Sequence, residues 1–127
     1  NLKHPRWDQL KIALWGPISN IGQALVFSAL VRLNDHQGWL PPDAPGAIFL
    51  RTGVYINLVL AIFNMIPIPP LDGSKILSSL LPLPQAETYE RVMSRFGMFL
   101  FLGLIFTGLS WRLIGPPVDA VFHFLIG

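Results

Sequence analysis

Three long apolar runs, separated by polar or proline-rich stretches, set the pattern of this chain. A basic, polar lead-in over residues 1–11 carries Lys3, His4, Arg6 and Lys11 against Asp8. Residues 12–33 follow with no charge before Arg32. About 20 apolar residues in a helix cross the hydrocarbon core of a bilayer, so this run predicts a first membrane span. It is too long for the apolar region of a signal peptide, and no small-residue cleavage site follows it. Residues 34–46 hold Asp35, Asp43, Pro41, Pro42 and Pro45 and predict a loop, with Trp39 placed as an interfacial aromatic. Residues 47–66 form a second candidate span, whose one charge, Arg51, lies near its start and can snorkel to the headgroups. That span runs into Pro67-Ile68-Pro69-Pro70-Leu71-Asp72-Gly73 and then a short apolar helix over 74–81.

Residues 82–95, with Glu87, Glu90, Arg91 and Arg95, read as a solvent-exposed connection or surface helix. The third candidate span is 96–114, with Arg112 and a belt residue, Trp111, near its end. Gly115-Pro116-Pro117 is expected to break it, leaving 118–126 as an apolar tail too short to cross. The expected fold is therefore all-α. It is one polytopic transmembrane helical domain of about three spans, plus a short helix after a proline-rich break.

Composition agrees with that reading. Of 127 residues, 52% are hydrophobic and 13% charged, and the mean hydropathy is +0.53. A soluble domain carries about 25% charged residues, so there is too little charge here to wet a globule's surface. A water-soluble enzyme and a disordered linker are both excluded, and the lipid bilayer is the expected surroundings. The net charge is +2, and nine scattered basic residues make no stripe for nucleic acid. The absence of cysteine excludes disulfides and thiolate metal sites. The sequence opens on Asn1 rather than Met, and the start of the protein is expected to lie upstream. Lys and Arg favour the lead-in and 82–95 over the 34–46 loop, which has neither, so both basic segments are expected on the cytoplasmic side.

Two spans carry polar residues with a spacing. Gly16, Asn20, Ala24 and Ser28 recur every fourth residue and so share one face of the first span. Small residues let helix backbones approach closely in lipid, which makes this stripe a packing seam, with Asn20 seeking a partner on a neighbouring helix. Pro17 either kinks the span or marks its start. In the second span Asn57 and Asn64 are seven apart, two helical turns, and face the same way. An amide in hydrocarbon is costly unless satisfied or used. At 67–70 three of four residues lack an N–H, so regular structure stops there. Irregular backbone at membrane depth is tolerated where it is buried in protein or lines a wet cavity. Asp72 follows directly. It either caps the helix beginning near Ser74 or serves chemistry, and Asn64 is either packing glue or part of the same site.

Residues 64–73, Asn-Met-Ile-Pro-Ile-Pro-Pro-Leu-Asp-Gly, resemble the N-x-x-P-x-P-x-L-D-G signature of the site-2 protease family of intramembrane zinc metalloproteases, the M50 type. The lead-in Ile56-Asn57-Leu58-Val59-Leu60-Ala61-Ile62-Phe63 is similar too. Gly16-Pro17-Ile18-Ser19-Asn20 resembles that family's G-P-x-x-N element, and Asn1–Asp8 resembles the segment before it in the compact bacterial branch. The resemblance implies a multi-pass protein of the bacterial cell membrane that cleaves transmembrane protein substrates. It implies that Asp72 is a Zn2+ ligand and that Asn64 binds or polarises the scissile peptide. Pro67, Pro69, Leu71 and Gly73 are then the motif's support.

In that family the other ligands come from an H-E-x-x-H helix, two histidines for zinc and a glutamate as general base. The histidines here, His4, His36 and His123, begin no such motif, and the helix is expected upstream of Asn1. A catalytic zinc takes three protein ligands plus water, and Asp72 supplies one. The chain alone is therefore expected neither to hold zinc tightly nor to hydrolyse a peptide. Two other classes remain open: a non-catalytic membrane scaffold that lost the zinc helix and binds a partner through the small-residue seam, and a transporter fragment.

Overall fold

A computed structural model describes residues 5–127. His4, and the part of the family-like opening segment before Pro5, lie outside the described residues. The described chain is five helices with no strand: α1 (Pro5–Gln37), α2 (Pro45–Phe63), α3 (Asp72–Leu80), α4 (Leu83–Thr107) and α5 (Leu109–Ile126).

The first span is longer than its apolar run. α1 absorbs much of the polar lead-in and the first residues of the expected loop, which shortens that loop to 38–44. Pro17 lies inside α1 and is buried; in a membrane helix, neighbouring elements compensate for the lost hydrogen bond. The helix stops at Gly38, whose φ of 69° is the left-handed turn that glycine adopts without strain. Asn34 steadies the exit, its Oδ1 accepting the Leu40 N–H at 2.9 Å. At the same end Arg51 bonds Asp35 at 2.9 Å, joining α2 to α1.

α1 and α2 pack against each other, and α5 closes the bundle. Its core is Ala24 and Val31 from α1, Val54 and Leu58 from α2, and Ile114 and Val118 from α5. A smaller cluster of Leu10, Ala13 and Ile76 joins α1 to α3. Outside these, large apolar side chains face outward: Phe99, Phe106 and Phe124 are 73%, 82% and 81% exposed. Such a surface suits lipid rather than water. α1 and α2 are each long and apolar enough to cross a membrane, and α4 with α5 makes a third candidate if the bent pair counts as one span.

The third span departs from expectation in where it breaks. Residues 82–95 are neither a separate connection nor a separate surface helix, since 83–95 are the first half of α4. The chain bends by 71° at Gly108, not at Gly115–Pro117. Gly108 adopts φ 75° and closes α4, its N–H bonding Ile105 O. Pro116 and Pro117 instead lie inside α5. Proline's fixed φ suits a helix, and what it costs is a donor and some steric fit. Burial of Ile114 and Val118 on either side offsets that loss, so the expected tail is the second half of an 18-residue helix.

Candidate functional site

The break after α2 is built from its prolines and closed by one glycine. Pro67, Pro69 and Pro70 cannot donate, and successive turns replace the helix: Ile66 N–H to Phe63 O at 3.1 Å, Ile68 N–H to Ile66 O at 2.8 Å, Leu71 N–H to Ile68 O at 3.0 Å. The Pro69–Pro70 bond is cis. The Gly73 N–H then returns to Asn64 O at 2.6 Å, which brings the start of α3 against the end of α2. A Cβ on Gly73 would stand 2.3 Å from Met65 O and 2.4 Å from Ile66 O. Only glycine fits. Leu71, 6% exposed, anchors the turn from inside.

Asp72 is thereby presented at the first residue of α3. It is not a cap: Leu71 holds the N-cap position, and α3 has no side-chain cap bond. The carboxylate turns to α1 and lies over Gly16, where a Cβ would stand 2.9 Å from Asp72 Oδ2. Asp72 is half-buried and has no hydrogen-bond or ion-pair partner among the described residues. Lys11 and Arg32 bracket about 31 Å of α1, close to the thickness of a hydrocarbon core. Gly16 lies about 7 Å inside the Lys11 end of that interval. A half-buried carboxylate with no partner among the described residues is arranged for a cation or for water.

Asn64 is half-buried, one N–H of its amide donating to Leu60 O at 2.8 Å. That leaves the second N–H and the carbonyl oxygen for a ligand. Asn57 is buried, and its amide donates to Gly53 O at 2.8 Å, within its own helix. The stripe on α1 divides. Ala24 and Ser28 are buried, with Ser28 Oγ donating to Leu25 O at 2.9 Å. Asn20 is half-buried, without a side-chain hydrogen bond among the described residues, and Gly16 forms the floor under Asp72.

Two residues of this site escaped the sequence reading. Tyr89 of α4 donates its hydroxyl to Pro67 O at 2.5 Å, and the Pro69 ring packs on Gly97 at 3.2 Å from where a Cβ would be. A glycine inside an apolar helix was a faint signal for Gly97, and nothing marked Tyr89. A cavity of about 430 Å³ opens between the break, α3 and α4, lined in part by Pro69, Pro70, Lys75, Tyr89 and Glu90.

As a metal centre the described residues are incomplete: no three His, Cys, Asp or Glu side chains converge among them. His36 and His123 lie in the last turns of α1 and α5, with His36 about 30 Å along α1 from Gly16. Asp72, half-buried and without a partner among the described residues, is a carboxylate whose chemistry suits a metal ligand.

An all-helical membrane-type domain, whose second span breaks to present an asparagine and a carboxylate, is the class that fold and site define. Residues 45–104 match the profile of Peptidase family M50, the site-2 protease family. It is 32% identical to YwhC of Bacillus subtilis, named a zinc metalloprotease, over 93% of this chain and 55% of that protein. A Methanocaldococcus jannaschii protein, also named a zinc metalloprotease, is 43% identical over 53% of this chain and 32% of its own length. A third so named, from Synechocystis, is 32% identical over 59% of this chain and 18% of its own. The chain thus spans about half the length of the Bacillus relative and less of the others. No solved structure matches it.

Proposed function

We propose that the whole protein is a multi-pass intramembrane zinc metalloendopeptidase of the bacterial cell membrane, cleaving transmembrane protein substrates. This chain supplies the carboxylate ligand, Asp72, and an amide at the scissile peptide, Asn64. The observation that carries the reading is the Asp72 carboxylate lying on Gly16 with no partner among the described residues, and Asn64 joined to its turn by the Gly73–Asn64 hydrogen bond. A bound zinc would polarise the scissile carbonyl and acidify a water. Asn64 would orient the peptide with its free N–H and stabilise charge developing on the carbonyl oxygen. The prolines keep the second span open, so the peptide backbone can reach Asp72. The remaining ligands and the general base come from elsewhere in the whole protein, and the 127-residue chain alone is inactive.

Asp72→Ala in the whole protein tests this. Zinc content, measured by mass spectrometry after dialysis, and cleavage of a membrane-anchored reporter are the readouts. Loss of both is expected, whereas wild-type cleavage by the variant overturns the reading. If the unsubstituted whole protein neither binds zinc nor cleaves, the scaffold alternative replaces it.

A further inference from the structure

α3 is nine residues long, about 13 Å, and Asp72 is its first residue. A helix this short is not stable by itself, so its position depends on what grips it. Its N-terminal end is held by the Gly73–Asn64 bond. Its C-terminal end exposes carbonyls that lack intrahelical donors. Arg6 of α1 meets that end: the two N–H of its Nη2 are shared among Ser78 O at 3.0 Å, Ser79 O at 3.4 Å and O of the C-cap Leu81. The guanidinium also opposes the negative end of the helix dipole. Between the two ends Gln9 Nε2 donates to Lys75 O at 3.4 Å, and Ile76 packs with Leu10 and Ala13. Along α1 Arg6 and Gly16 are about 15 Å apart, nearly the length of α3. α1 is thus a template with a grip at one end and a floor for the carboxylate at the other.

We propose that Arg6 is a positioning residue, which sets the register of α3 on α1 and so holds Asp72 over Gly16. Its metal consequence rests on the zinc reading above, whereas its structural consequence does not. Arg32 provides a matched control. It grips the end of α5 in the same way, donating to Phe124 O at 3.1 Å and to Leu125 O, but α5 carries no part of the site.

Residues 1–127 contain no cysteine, so an Ala13→Cys/Ile76→Cys pair in the whole protein reports the α1–α3 register by its rate of disulfide formation. Arg6→Ala is expected to slow that cross-link about tenfold and to weaken zinc binding, by less than the roughly 10- to 100-fold lost when a group bonded directly to a ligand is removed. Arg6→Lys should recover part of both, since an ammonium keeps the charge and donors but has a shorter reach and no planar fork. Arg32→Ala should lower the melting temperature and leave both readouts within twofold. A cross-linking rate within twofold of wild type in Arg6→Ala overturns the proposal, and so do equal effects of Arg6→Ala and Arg32→Ala. Should Arg6→Ala fail to fold, Arg6→Lys decides by the same two readouts. If the unsubstituted protein holds no zinc, the zinc reading fails and the cross-linking rate alone decides the role of Arg6.

Discussion

Two glycines do opposite work around Asp72, and substituting each separates fold from site. At Gly73 the atoms in the way are backbone carbonyls, which cannot swing aside. Gly73→Ala should therefore cost at least ~2 kcal/mol, seen as a lower melting temperature in detergent. At Gly16 the obstruction is a carboxylate oxygen at the end of a side chain, which can rotate away. Gly16→Ala should leave the melting temperature nearly unchanged while weakening zinc binding in the whole protein. Equal destabilisation by both would remove Gly16 from the site. The L-D-G run was readable as a motif, and Gly16 stood out within a small-residue stripe. That the stripe's first member faces Asp72, while Ala24 and Ser28 face the helix core, was not readable. Four-residue spacing places residues on one face without saying what each meets along it.

The elements were legible to the extent that hydrophobic pattern and proline content controlled them. α2 and α3 lie near the expected 47–66 and 74–81, but α2 ends at Phe63 and α3 begins at Asp72, inside the expected Pro67–Gly73 break. The third span broke elsewhere than expected, because a Gly-Pro-Pro sequence reads as a terminator while an isolated glycine inside an apolar run reads as helix. Here the left-handed φ of Gly108 ends α4, and the prolines stay helical. Gly108→Ala should destabilise by about 1–2 kcal/mol, the cost of a Cβ in that conformation. Pro116→Ala should not destabilise, since it restores a backbone donor. Thermal melts of the two variants in the same micelle locate the break, and a loss confined to Pro116→Ala would return it to the prolines.

Across the whole molecule the two ends differ in chemistry. Arg6 and the end of α3 share one end, while the 38–44 loop, the Asp35–Arg51 pair and the Arg32 grip on α5 share the other. Single cysteines introduced at Gln85 and Gly38 should accordingly label from opposite sides of a sealed membrane, with Gln85 on the cytoplasmic side. Labelling of both from one side would refute that topology. The amino-acid order was enough for an all-helical chain with about three expected crossings, a break after the second, and a carboxylate just past it, because apolar run length and missing proline N–H groups act locally. Packing settled the remainder: the floor under Asp72, the grip of Arg6 on α3, the seating of Pro69 on Gly97 and the bend at Gly108. These depend on contacts between residues far apart in the chain, for which no local spacing is a record.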